Sequence, residues 1–263
     1  MCNLNYVRIP RDIIYNTSLG DKRVILFSYI CSRRSLDDTV AFSVTELCEW
    51  SKLKPNYRDG KINQKYLNIL NLFSQLNYFR EYPDFQRLLA EKKNSTDFYK
   101  LKLNIDKFDC LDSFAIIYFD ELQKILNFKE ELKDSSVDLS RMSSAYILLL
   151  LSYIRVNMNY STDKPMCCYR LYQTISHDIG LSERYISRII DILDELNIIR
   201  YKEGKRKRYQ KKNGTYGYLT APKIFADYRH ISKDEFGKPV EDRNYSYASE
   251  IQKQMEILSS DSS

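Results

Sequence analysis

Glycine and proline are scarce in this chain of 263 residues, 7 and 6 in all. That excludes collagen-like chains and propellers, and no GxxxxGK(S/T) phosphate loop occurs, so no ATP site is expected. Only two histidines are present, His177 and His230. With no His-x-His and no His/Cys ligand spacing, neither a metal site nor a metal-dependent nicking site is expected. The six cysteines (Cys2, Cys31, Cys48, Cys110, Cys167 and Cys168) contain no CxxC pair and fit a reducing cytoplasm better than a disulfide framework. Cys31 and Cys48 lie on apolar stretches and read as buried thiols. No basic-then-apolar leader opens the sequence. The longest apolar run, about Ala145–Ile154, is shorter than the ~20 residues a membrane span needs. The acidic pairs Asp37-Asp38 and Asp120-Glu121 read as solvated acids rather than catalytic ones, since nothing in the sequence marks a partner for them. The expectation is a cytoplasmic protein with no membrane partner, no cofactor and no catalytic residues.

What the chain does have is charge in one place and a repeat. Its net charge of +6 is matched by residues 202–212 alone, where seven basic residues face one acid, Glu203. Such a block points to a polyanionic partner. Ser28-Tyr29-Ile30 recurs as Ser152-Tyr153-Ile154, 124 residues later, and Leu76-Asn77-Tyr78-Phe79-Arg80 recurs as Leu196-Asn197-Ile198-Ile199-Arg200, 120 residues later. A near-constant offset of this kind is the mark of an internal duplication.

Between these anchors the periodicity predicts the same elements twice. In the first copy, helix Asp21–Arg33 precedes a short strand Val40–Ser43. A helix Val44–Leu53, capped by Ser43 or Thr45, then leads through a loop Lys54–Lys61 to a helix Asn63–Leu76. Two extended stretches, Tyr78–Tyr82 and Phe98–Leu103, come next. In the second copy, a helix Arg141–Met158 capped by Ser140 precedes an extended stretch Met166–Arg170. A helix Leu171–Ile179 ends at Gly180, and a second helix capped by Ser182 runs to Leu196. Strands Ile198–Lys202 and Tyr216–Leu219 then form a hairpin around the basic loop, and Pro222 ends the pattern. Helix, strand, helix, helix, hairpin is the order of a winged helix-turn-helix. The expected fold is therefore mainly α with small β-hairpins, as two tandem winged helix-turn-helix domains (residues 1–112 and 113–230) and a polar tail, 231–263.

Around Gly180, Ile175, Ile179, Leu181, Ile186 and Ile189 hold the apolar offsets that lock two helices across a tight turn. A helix that enters a major groove reads bases with its N-terminal outward residues. Here those are Ser182, Glu183, Arg184, Ser187 and Arg188, with Tyr185 placed to pack or to reach a phosphate. Arginine pairs bidentately with guanine, and asparagine and glutamine with adenine. Lys205, Arg206, Lys207, Arg208, Lys211 and Lys212 form a wing able to neutralise phosphates. In the first copy Gln64, Asn68, Asn71 and Gln75 share one outward stripe flanked by Lys61 and Lys65, and Arg58 lies in the loop before it. A solvated polar face explains that stripe equally well.

Tyr6–Ile14 (Tyr-Val-Arg-Ile-Pro-Arg-Asp-Ile-Ile), with Lys22-Arg23-Val24-Ile25-Leu26 and Phe42-Ser43-Val44-Thr45-Glu46-Leu47, resembles the opening of RepA-type replication initiators of Gram-positive plasmids and mobile elements. Their N-terminal domain is similar to the winged helix of DnaD-like primosome proteins. Over residues 6–80 the resemblance implies binding to a duplex origin and recruitment of host replication proteins. Ile-Gly-Leu-Ser-Glu-Arg-Tyr-Ile-Ser-Arg-Ile-Ile, from Ile179, resembles bacterial winged-helix DNA-binding proteins. A transcriptional regulator of the same architecture stays open, as do a winged-helix protein-interaction module and a homodimer. An enzyme fits least.

Overall fold

The computed structural model of the protein describes residues 5–53, 64–90, 97–109, 113–158, 167–202, 206–210, 215–220 and 223–230. The expected loop Lys54–Lys61 and the polar tail lie outside these residues. The first half of the chain runs β1 (Tyr6–Pro10), α1 (Arg11–Tyr15), α2 (Arg23–Ser32), β2 (Thr39–Phe42), α3 (Val44–Ser51), α4 (Gln64–Gln75), β3 (Phe79–Glu81), α5 (Phe85–Ala90), β4 (Tyr99–Leu103) and α6 (Ile105–Asp109). The second half runs β5 (Phe114–Tyr118), α7 (Phe119–Leu126), α8 (Phe128–Glu131), α9 (Ser144–Val156), β6 (Cys167–Arg170), α10 (Tyr172–Ile179), α11 (Glu183–Glu195), β7 (Ile199–Lys202), β8 (Arg206–Gln210), β9 (Tyr216–Thr220) and β10 (Lys223–Asp227). The class is α+β, with small antiparallel sheets. Among the described residues no helix is long and apolar enough to cross a membrane.

The three-stranded sheets of the two halves share one strand order. In the first half the sheet order is β2-β4-β3, and in the second it is β6-β10-β7. Each time the strand before the helix pair lies at one edge and the last strand lies in the middle. The repeated Leu-Asn pair has a backbone cause. Asn77 and Asn197 take the left-handed conformation, with φ of 60° and 53°, which asparagine tolerates better than most residues. Each ends its helix in the same way: Tyr78 N–H donates to the Phe73 carbonyl at 3.1 Å, and Ile198 N–H donates to that of Leu193 at 2.9 Å. These are the six-to-one bonds that satisfy the last turn of a helix. A lysine adds a further donor at both ends, Lys107 to the Leu76 carbonyl and Lys124 to that of Leu196.

The two halves meet through equivalent parts. β1 pairs antiparallel with β5, and Arg8 lies opposite Ile116, each the middle residue of its strand. α1 comes directly after β1 and α7 directly after β5, and α2 packs on α9. A contact in which each half uses its own counterpart is isologous, as in a two-fold dimer. One continuous cluster of buried apolar side chains runs through both halves, from Ile9, Phe27 and Leu70 to Leu149, Ile189 and Phe225. The expected division at residue 112 falls between α6 and β5, and the two halves on either side share a core.

Two expectations need correction. Ser140 does not cap the long helix: Arg141 has φ of 59°, outside the helical region, and α9 starts at Ser144. The strand pairing also differs from the expected hairpin. β7 pairs with β10, not with Tyr216–Leu219, and the basic segment is itself a strand, β8, paired with β9. Lys202 is paired with Ile224 and Arg206 with Thr220, so three residues separate the two ladders on each arm and a single register runs through both. The chain therefore continues past Pro222 into β10, the middle strand of its sheet.

Glu121, expected as a solvated acid, is instead buried in an ionic cluster that ties α7 to α9 and β10. Arg155 on α9 is 1% exposed. It donates to Glu121 at 2.6 and 2.8 Å, to Asp227 at 2.8 Å and to the Ile116 carbonyl at 2.9 Å. Arg229 donates to Glu121 Oε1 at 2.7 Å, the oxygen that also accepts from Arg155 Nη2, and it reaches Asp120 as well. Burial pushes the Glu121 carboxyl upward, but the bonds and charges of Arg155 and Arg229 outweigh it and hold it below the usual range.

Candidate nucleic-acid interface

The helix pair α10–α11 is built around a glycine. Gly180 takes φ of 78° and donates to the Ser176 carbonyl at 2.9 Å, closing α10. Ser182 then caps α11, its hydroxyl accepting from the Tyr185 N–H at 3.4 Å. Ile175, Ile179, Leu181, Ile186 and Ile189 are all buried, as their offsets require. What remains outside is polar: Ser182, Glu183 and Arg184 are exposed, and Ser187 is half-buried.

Two expected contact residues of α11 have partners in the protein. Tyr185 is half-buried and lies against Tyr146, ring centroids 5.5 Å apart. Arg188 is half-buried and ion-paired with Asp138 at 2.5 Å, and it also donates to the Ser140 carbonyl at 3.4 Å. Farther along the helix Asp191 accepts from Tyr201, and Asp194 holds Arg200. Of the two arginines of α11, Arg188 is thus ion-paired within the protein and Arg184, in the first turn, is the exposed one.

Arg206, Lys207 and Arg208 lie on β8 opposite Thr220, Leu219 and Tyr218 of β9. Lys205, Lys211 and Lys212 fall outside the described residues, as do Arg58 and Lys61. On α4, Lys65, Asn68 and Gln75 are exposed and Asn71 is half-buried, while Tyr66, Leu67, Ile69, Leu70 and Phe73 are buried. Gln64 is the first residue of that helix. The first half differs where the second has its basic strand pair: between β3 and β4 stands α5, which packs on α4.

Sequence reasoning missed the junction between the two helix pairs. Arg23, 1% exposed, donates to the carbonyls of Ile13, Ile14 and Gly20 and, across the halves, to that of Ile179 beside the Gly180 turn. Burial pushes its guanidinium down to about 10. The neighbouring Lys22 puts its Nζ 4.3 Å from the Tyr146 ring centroid. Asp21 stays below the usual carboxylate range because Lys22, Tyr146 and Lys65 together outweigh its burial. Tyr146 touches the first turn of α11, and Lys65 sits in the first turn of α4, so both helices begin beside one junction. No periodicity marks these residues: Arg23 sits among apolar neighbours, and Tyr146 is one of 22 tyrosines.

Among the described residues no group of three His, Cys, Asp or Glu side chains is placed to hold a metal ion. Burial pushes the Cys48 thiol up to about 11 and that of Cys168 to about 12, so neither is a thiolate at neutral pH. No protein-family model matches the chain, and no curated protein matches it.

Proposed function

We propose that the chain is a sequence-specific duplex-DNA-binding protein made of two tandem winged helix-turn-helix modules. In this reading it is a replication initiator that binds an origin and recruits host replication proteins. The observation that carries the DNA reading is the helix pair around Gly180, where an exposed arginine and serine open α11 and a basic strand pair comes after it. The repeated element and sheet order supports two modules. The shared junction at Asp21, Lys22 and Tyr146 supports joint use of α4 and α11 on one duplex, where linkage raises effective concentration and lets each module bind weakly. The replication role rests on the resemblance over residues 6–80. A second reading, a protein-binding surface, is favoured for the first half alone, because α5 stands there in place of a basic hairpin.

The test is binding to random duplex DNA across a salt series, by the wild type and by a variant with Lys205, Arg206, Lys207 and Arg208 neutralised. Salt-sensitive binding is expected, with the variant's log–log slope shallower by up to about 0.9 per lost phosphate contact. No binding at low salt by the folded wild type overturns the DNA reading.

A further inference from the structure

Arg188 lies on the outward face of α11 one turn after Arg184, yet its charge is already answered. The answering group is Asp138, from the loop that precedes α9. Asp138 grips the Arg188 guanidinium at 2.5 Å while its own carboxylate accepts from the Ser140 N–H at 2.8 Å. The Ser140 carbonyl takes a second guanidinium N–H of Arg188 at 3.4 Å. The side chains of the pair are 22% and 50% exposed, so this contact is open to solvent and to a ligand. Ser140 and Arg188 hold the Asp138 carboxyl below its usual range, with a smaller contribution from Arg184, so the carboxylate is charged at neutral pH.

We propose that Asp138 is a specificity-determining residue of the DNA-binding surface, an inference that rests on the proposed DNA reading. A carboxylate beside a surface arginine affects two kinds of contact unequally. A phosphate that approaches Arg188 is an anion and is repelled by Asp138, so part of the attraction is cancelled. A guanine edge offers neutral acceptors and meets little of that repulsion, while the carboxylate keeps the planar fork in one orientation. Asp138 thus withholds Arg188 from the backbone of random duplex and leaves it for base contact. Arg184 has no such close partner among the described residues and serves either kind of contact.

The experiment compares full-length wild type, Asp138→Asn, Arg188→Gln and the double variant on random-sequence duplex between 50 and 200 mM salt. Asparagine keeps the oxygen that Ser140 uses and removes the charge. Asp138→Asn is expected to bind random duplex more tightly, with a log–log slope steeper by up to about 0.9; that is an extra three- to four-fold loss of affinity over this salt range. In the Arg188→Gln background the same substitution is expected to have a clearly smaller effect on both quantities, because Asp138 then acts only on Arg184, to which it is more weakly coupled. An equal gain in both backgrounds overturns the proposal, because any lost acid would then act alike. An unchanged or weaker Asp138→Asn, with salt-sensitive binding by the wild type, also overturns it and leaves the DNA reading standing. A folded wild type that binds no duplex overturns both.

Discussion

Arg23 donates through Nη2 to the carbonyl of Ile179 at 3.2 Å, joining residues 156 positions apart. Among the described residues no carboxylate bonds to this buried guanidinium; backbone carbonyls from both halves share it. The fork is therefore a spacer that sets the α10–α11 turn against α1.

Arg23→Lys keeps the charge but loses the fork. It is expected to destabilise the protein by about 2–3 kcal/mol, since buried carbonyls lose charge-assisted donors. Urea unfolding would show this as a lower midpoint at unchanged slope.

The cluster around Arg155 makes a stronger demand. Arg155→Met leaves Glu121 and Asp227 buried without their main cation and is expected to cost about 3–5 kcal/mol, read from the same unfolding curves. Removing all members together for apolar residues should cost far less.

The same cluster sets an acid limb. Glu121 has a folded pKa below its unfolded value, so its contribution is complete above the unfolded carboxylate range. It is lost as pH falls through the folded value. Stability of the wild type is expected to decline below about pH 4.3. Glu121→Gln should be less stable at neutral pH and show a shallower decline in acid, a difference that chemical unfolding at several pH values would measure.

Gly180→Ala tests the turn. A methyl group there would meet only Thr17 Cγ2 at 3.7 Å, an ordinary contact, but φ of 78° disfavours any side chain. A cost of about 1–2 kcal/mol is expected in thermal unfolding.

Arg184→Gln should leave stability unchanged, because the side chain is exposed. On a duplex selected by the wild type it is expected to lose about 1–3 kcal/mol and to relax preference at one base pair. Binding to single-base variants of that duplex would show whether the loss is local or uniform.

The elements most legible in the sequence are those with strong periodicity or punctuation. Tyr66, Ile69 and Phe73 of α4 and Ile186 and Ile189 of α11 follow helical spacing and are buried in the core, and Gly180 and Ser182 sit where the pattern predicts a stop and a cap. The strand pair β1–β5 carries no such signal, because its partners lie about a hundred residues apart and short apolar runs suit either state. The hairpin is hidden for a related reason: a run of lysine and arginine resembles a solvated loop, and only the register shared with β9 shows that it is extended. The ion pair of Arg188 is illegible, since Asp138 lies on a loop without pattern and meets α11 only in three dimensions.

The pairing of Arg8 with Ile116 has one more consequence. A symmetric homodimer must present every surface twice, so a change that suits one copy is imposed on the other. Here the same kind of contact is made within one polypeptide, and that constraint is lifted. The helices α4 and α11 can differ, with Lys65 and Asn68 on one and Arg184, after the Ser182 cap, on the other. The segments after them can differ too, α5 in one half and a basic strand pair in the other. One chain whose halves pair strand to strand in this way can carry two unlike surfaces, with no need for a second chain.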